Sequence, residues 1–174
     1  MPNIHVRTAR LAEAETILQL VRESMASYCR DSAIPNDYIE ATSEPLEVVE
    51  DAISSGVVFV AVTDCDEILG TCRLYIRPRR ELQDELPDQD LTFSSRVAYF
   101  ARFSVWDNWR SQGIGNFLLS FCEGTARQSG CSHMFLHTAL SNIGMVNYYQ
   151  AHGFEIISHD TGRGYNRGLF MKRL

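Results

Sequence analysis

Arg110, Gly113 and Gly115, in the run "WDNWRSQGIGNFLLS" at residues 106–120, have the types and spacing to hold an anion. Glycine tolerates positive φ and lets a backbone come close to a ligand. Amide hydrogens at a helix start lack intrahelical partners and carry partial positive charge. No Asp or Glu follows here until Glu123, so no carboxylate competes for that end, and Arg110 adds a cation at its entrance. Such a pocket suits a pyrophosphate. Two phosphate folds are excluded. The run G-x-x-x-x-G-K-[ST] of a P-loop is absent. A dinucleotide fold needs a third glycine, where Leu118 stands, and an acidic residue about twenty positions on, where "CSHMFLH" runs instead. On the glycines alone, a tight strand-to-helix turn without any ligand stays open as the alternative.

Metal chemistry is not expected. His133 and His137 would meet on a helix, but on a strand they stand about 13 Å apart. No Glu follows His133, so H-E-x-x-H is absent as well. Five cysteines, an odd number with no C-x-x-C pair, read as reduced thiols rather than a disulfide frame or zinc site.

The elements that must position these residues follow from periodicity. "NIHVRTA" alternates as a short strand, and Leu11, Ala14, Leu18, Val21 and Met25 recur at helical spacing. Residues 26–45 are polar and broken by prolines, which predicts a loop or irregular link. Ser43 suits an N-cap for a helix reaching about Ser54. "VVFVAVT" and "ILGTCRLYIR" predict a hairpin, followed by a long connection over residues 77–94. "RVAYFARFSV" is a strand, broken at Asp107–Asn108. Ile114, Phe117, Leu118, Phe121 and Cys122 mark one face of a helix that Gly130 ends. "HMFLHTA" is a strand, Asn142 to Ala151 a helix, and "FEIISH" and "LFMKRL" flank a glycine-rich turn.

The 174 residues, 45% hydrophobic and 22% charged, predict one globular domain over 1–174. A net charge of −6 argues against a nucleic-acid face. The opening "MPNIHVRTAR" lacks an export layout and no apolar run reaches membrane-spanning length, so the expected location is the cytoplasm, with no membrane partner.

The pattern R-x-x-G-x-G, after an apolar strand and before an amphipathic helix, resembles the acyl-CoA pyrophosphate loop of the GNAT superfamily of N-acetyltransferases. A second block strengthens it. In "SNIGMVNYYQAHGFE", Asn142, Tyr149, Gly153 and Phe154 match N-x-x-A-x-x-x-Y-x-x-x-G-F, with Met145 at the usual small position. The resemblance covers the chain from about Arg96 onward; the first half follows the family's order of elements without a motif of its own. It implies an α/β (α+β) fold: a GNAT-like mixed, mostly antiparallel sheet flanked by helices, with a V-shaped split between two central parallel strands.

It also implies a chemistry: direct attack of a primary amine, on a small molecule or peptide, on acetyl-CoA in a ternary complex. Phe103, Ser104 and Val105 would offer backbone groups to the pantetheine. Arg110, Ser111, Gln112, Gly113, Ile114 and Gly115 would hold the pyrophosphate. Asn142 would bond near the thioester or fix the local loop. Tyr149 takes the general-acid position toward the CoA sulfur, while Tyr148 beside it reads as a core aromatic. His137, on a strand flanking the split, is the candidate base. Glu81, Asp84, Glu85, Asp88 and Asp90 would attract a cationic amine or form a solvated loop, and Arg102 would face a substrate carboxylate or make a surface salt bridge. With Tyr28 and Tyr38, the acidic loop points toward a cationic, partly apolar acceptor. A homodimer would be usual for the family. The competing reading is a non-catalytic acyl-CoA-binding regulatory domain on the same fold.

Overall fold

All six residues of the strand Val58–Thr63 are buried, because its two faces serve two different cores. Val58, Val60 and Val62 pack into one cluster and Phe59 and Ala61 into another, as expected for a strand covered on both sides. The computed structural model describes residues 3–82 and 94–174. Its strands are β1 (Ile4–Thr8), β2 (Val58–Thr63), β3 (Ile68–Pro78), β4 (Arg96–Val105), β5 (His133–Ala139), β6 (Glu155–Asp160) and β7 (Arg167–Arg173). Its helices are α1 (Ala14–Ser32), α2 (Leu46–Ser54), α3 (Ile114–Gln128) and α4 (Ile143–Ala151). The strands form one sheet in the order β1-β2-β3-β4-β5-β7-β6. Neighbours run antiparallel except β4 and β5, which are parallel. Helices α1 and α2 cover one face through Ile17, Leu20, Val21, Val49 and Ile53. Helices α3 and α4 cover the other through Ile114, Leu118, Cys122 and Tyr149. The mixed, mostly antiparallel sheet with flanking helices is the fold expected.

Three local expectations are corrected. The loop or irregular link expected from residue 26 does not begin there: helix α1 continues to Ser32, ending where Ala33 takes a left-handed conformation at φ 54. Its last turns bury Ser27, Cys29 and Ser32 in place of large apolar residues, so the hydrophobic period vanishes although the helix does not. Ser43 does not cap α2, which begins at Leu46 after Pro45. The preceding Glu44 is instead drawn into the interior by two arginines. On α3, Phe117 and Phe121 are exposed, and Leu119 and Ala126 join Ile114, Leu118 and Cys122 in the buried stripe.

Strand β4 carries an irregularity that matters for the site. Its register against β3 shifts between Thr71↔Ser104 and Arg73↔Ala101, so Arg102 and Phe103 together oppose Cys72. Arg102 takes φ 52, the left-handed conformation a bulge residue adopts. The bulge bends β4 near its end, beside its parallel neighbour β5.

A candidate acyltransfer site

The parallel pair is short. Strands β4 and β5 are in register at Ala98↔Met134 and Tyr99↔Phe135, and among the described residues no later pairs form although both strands continue. Beyond Tyr99 the sheet is therefore forked. Peptide groups on the β5 side of Phe100–Val105 have no ladder to join there and open into a cleft. That cleft has a volume of about 950 Å³. Its wall includes Phe103 and Val105 of β4, Arg110, Ser111, Gly113 and Gly115 before and within α3, His137 of β5, and Asn142, Tyr148 and Tyr149 of α4. Two more of the expected cofactor residues, Gln112 and Ile114, border this turn: Gln112 is exposed and bonds Asn108 O, while Ile114 anchors α3 in the core. Ser104 is buried, its backbone paired to Thr71.

The turn into α3 has the backbone features expected of an anion cradle. Ser111 at φ 59 and Gly113 at φ 84 reverse the chain, and Gly113, lacking a side chain, leaves the first helical amides uncapped. Gly115 serves a separate purpose. A Cβ there would lie 2.7 Å from Phe103 Cζ and 3.2 Å from the Tyr148 hydroxyl, so its absence admits an aromatic pair. Phe103 and Tyr148 stack at 5.7 Å between centroids, and the Tyr148 hydroxyl donates to Asn116 Oδ1 at 3.1 Å. The guanidinium of Arg110 points back into the protein. It bonds Val105 O at 3.3 Å and Ser27 Oγ at 2.9 Å, and pairs with Asp107 at 2.9 Å. It therefore fixes the turn against α1, its charge balanced by Asp107.

Asn142 has a similar supporting position. Its side-chain oxygen accepts from Met145 N at 3.1 Å, capping α4, and its amide donates to Ser32 Oγ at 3.0 Å. Both polar ends are thus engaged within the protein, the local-loop option among its two expected roles. Helix α4 delivers two tyrosines to the cleft, and their burial is the reverse of that expected. Tyr149 is 5% exposed, ringed by Phe103, Phe154 and Phe170, while Tyr148 is the half-buried neighbour. Burial pushes the Tyr149 hydroxyl well above the usual phenol range, so it stays protonated. Burial also pushes Tyr148 up, to about 12.

The opposite wall is made of side chains from distant segments. His137 Nδ1 lies 2.7 Å from the Tyr99 hydroxyl, and burial, helped by Arg167, pushes the imidazole pKa down to about 4. Tyr28 reaches from α1 to β5, where its hydroxyl accepts from Ala139 N at 2.6 Å and bonds Thr138 Oγ1 at 2.9 Å. Arg102 neither projects freely nor makes a simple surface pair. With Arg73 it grips buried Glu44, at 3.0 Å and 2.6 Å respectively. Glu81 is exposed on the cleft wall, whereas Asp84, Glu85, Asp88 and Asp90 lie outside the described residues. Among the described residues no group of His, Cys, Asp or Glu is placed to hold a metal ion, and no helix is long and apolar enough to cross a membrane.

Helix α1 links the two walls. Ser24 and Ser27 bond Arg110, Tyr28 bonds β5, and Ser32 bonds Asn142, a polar stripe along one helical face. The sequence signals none of this, since serines on a helix read as solvent-facing. Tyr99, Tyr165 and Arg77 also line the cleft without any motif to mark them. Tyr75 and Arg77, two apart on β3, and Tyr99 opposite Tyr75 become neighbours through strand register alone.

Comparison with known proteins agrees with this geometry. In solved structures, the acetyltransferase of the GNAT family from Streptococcus agalactiae superposes with a TM-score of 0.77 at 17% identity, covering 98% of this chain and 95% of that one. The PaiA N-acetyltransferase from Thermoplasma acidophilum, in complex with coenzyme A, gives 0.73 at 18% identity over 99% of both chains. At such identity the likeness is one of fold. The aminoglycoside N(6')-acetyltransferase type 1 of Klebsiella aerogenes is 32% identical over 97 residues, 56% of this chain and 58% of that protein. The chloroplastic GCN5-related N-acetyltransferase 4 of Arabidopsis thaliana is 33% identical over 66 residues, 38% of this chain and 23% of that protein. The model of the acetyltransferase (GNAT) family matches residues 21–154, which span the cradle, the fork and α4. The chain therefore belongs to the GNAT family of acetyltransferases.

Proposed function

We propose that this protein transfers the acetyl group of acetyl-CoA to a primary amine of a small molecule or peptide within a ternary complex. The observation that carries the reading is continuity. One cleft runs from the uncapped amides of α3, past the open edge of β4, to the buried hydroxyl end of α4. The amides of the cradle would take the pyrophosphate, and the unpaired peptide edge of β4 the pantetheine amides. Acetyl-CoA would supply the thioester whose carbonyl carbon the amine nitrogen attacks, the new C–N bond forming as the C–S bond breaks.

Tyr149 is a proton-bearing group at every physiological pH. Full transfer of its proton to a thiolate of pKa about 8.5 is uphill, since its own pKa stands well above 10. Its contribution is then a hydrogen bond to the negative charge developing on sulfur, with the thiolate drawing its final proton from solvent. His137 at about 4 is a weak sink for the proton of an ammonium near 10. We assign it the Tyr99 hydrogen bond and a share in shaping the acceptor wall; the amine loses its proton through water.

The test couples calorimetric titration of coenzyme A with a thiol-release assay over an amine panel. Binding plus amine-dependent thiol release supports the reading. Binding without release over the whole panel favours the non-catalytic acyl-CoA-binding alternative, and absence of binding overturns both.

A further inference from the structure

Five arginines line the cleft, and among the described residues four of them are neutralised by a carboxylate. Arg102 pairs with Glu44, Arg110 with Asp107, Arg163 with Glu40 and Arg167 with Asp160, each at 2.8–3.0 Å. Arg77 has no such partner among the described residues. Its guanidinium carbon instead lies 4.9 Å from the ring centroid of Tyr75 and 5.8 Å from that of Tyr99. Aromatic faces at these distances hold a cation in place without cancelling its charge. The planar fork is thus fixed, half-buried and still able to donate to an oxyanion.

The position of this cation is specific. Tyr75 and Tyr99 are opposite each other in the β3–β4 register, and the Tyr99 hydroxyl bonds His137 on β5. Arg77, the tyrosine pair and His137 therefore form one row across three strands. That row ends where the β4–β5 ladder stops, at Tyr99↔Phe135. A ligand anchored at Arg77 lies along the aromatic row with its other end at the fork. Two carboxylates on the cleft wall, Asp31 and Glu81, make no ion pair among the described residues and complement a positive amine.

We infer that the acceptor is an amine that also bears a carboxylate, which Arg77 binds between Tyr75 and Tyr99. This deepens the reading under the proposed function and rests on it for the identity of the amine as acceptor. It sets a requirement that the aminoglycosides in the name of its Klebsiella relative do not meet, since they carry no carboxylate for Arg77 to bind.

The experiment reads binding without turnover, so that a failure of acetyl transfer counts against the proposed function and not against this inference. Dissociation constants are measured by calorimetry for β-alanine, 6-aminohexanoate, L-lysine and glycyl-L-glutamate, each beside its methyl ester, with and without coenzyme A. Kanamycin serves as the polycation. At least one acid is expected to bind about tenfold or more tighter than its ester. Arg77→Met, which keeps the stem, brings that ratio to within about twofold, and Arg77→Lys restores part of it. Melting curves of both variants check folding. The inference is overturned if no acid binds better than its ester, if the preference survives in Arg77→Met, or if kanamycin binds more tightly than every acid.

Discussion

The two halves of the cleft are made in different ways. The α3–α4 half is local: the turn Arg110–Gly115 offers backbone amides, and a single nine-residue helix, capped by its own Asn142, brings Tyr148 and Tyr149. The opposite half is assembled from afar. Tyr28 of α1, Tyr75 and Arg77 of β3, Tyr99 of β4, His137 of β5 and Tyr165 before β7 converge there, locked by ion pairs such as Arg163–Glu40. A backbone cradle suits a ligand that never changes, because it depends on chain conformation rather than on particular side chains. A wall of side chains can be rewritten one residue at a time. The contrast predicts that damage to the first half lowers cofactor affinity or turnover, while damage to the second alters stability, pH response and acceptor choice.

The largest effect is expected beneath the side-chain wall. Glu44→Gln leaves the buried Arg73 guanidinium and that of Arg102 without their shared counter-charge. Removing one partner of a buried ion cluster costs about 3 kcal/mol or more, and urea unfolding measures it. Arg102, whose side chain lines the cleft, is held by the same carboxylate, so acceptor KM should rise more than that of acetyl-CoA. Equal loss for both substrates would dissolve the distinction between the halves.

Acid should strike the same wall. In the folded protein His137 titrates at about 4, against about 6.5 for a free imidazole. Between those values the unfolded chain binds more protons, so stability is fully present above pH 6.5 and falls as pH drops toward 4. The loss is at most about 3 kcal/mol, and less where water reaches the half-buried ring. His137→Gln should flatten this part of the stability–pH curve. An unchanged curve would remove His137 from the wall's titrating groups.

What the sequence makes legible divides along the same line. The conformations of the turn before α3 and of α4 are readable because they are set by consecutive residues with fixed conformational needs. Gly113 must have positive φ, and Asn142 must sit three residues before the amide it caps. The mixed make-up of the sheet follows from the order of strands and helices, while the parallel pair β4–β5 is implied by the family resemblance. The side-chain wall is not readable, since Arg77 acquires its meaning from the register that sets Tyr75 against Tyr99. The end of α1 is misread for a related reason: Ser24, Ser27 and Ser32 are buried because Arg110 and Asn142, far along the chain, supply their partners. The order of burial in the Tyr148–Tyr149 pair likewise depends on Phe154 and Phe170, contributed by segments that periodicity within α4 does not see.

Turnover should respond most to α4. Tyr149→Phe removes the protonated hydroxyl and keeps the ring in its aromatic pocket, so folding is preserved. A fall in kcat of about 10²-fold is expected, with little change in coenzyme A affinity. Tyr148→Phe is the internal control: it forfeits the bond to Asn116 and should change kcat several-fold less. Reversal of that order would transfer the sulfur-facing role to Tyr148.

The smallest effect is expected at the cradle itself, and its selectivity matters more than its size. A Cβ at Gly113 meets nothing within 4 Å, so Gly113→Ala causes no clash. It does force alanine to hold φ 84, at a cost of about 1–2 kcal/mol unless the turn relaxes. Relaxation swings the amides of Ser111 to Gly115 out of line. Affinity for coenzyme A should then fall about tenfold, while dephospho-pantetheine fragments that lack the diphosphate bind as before. That pattern follows only if the turn grips the diphosphate through its backbone. A loss shared equally by the fragment would mean that the turn merely supports α3, which is the reading that the two glycines alone leave open.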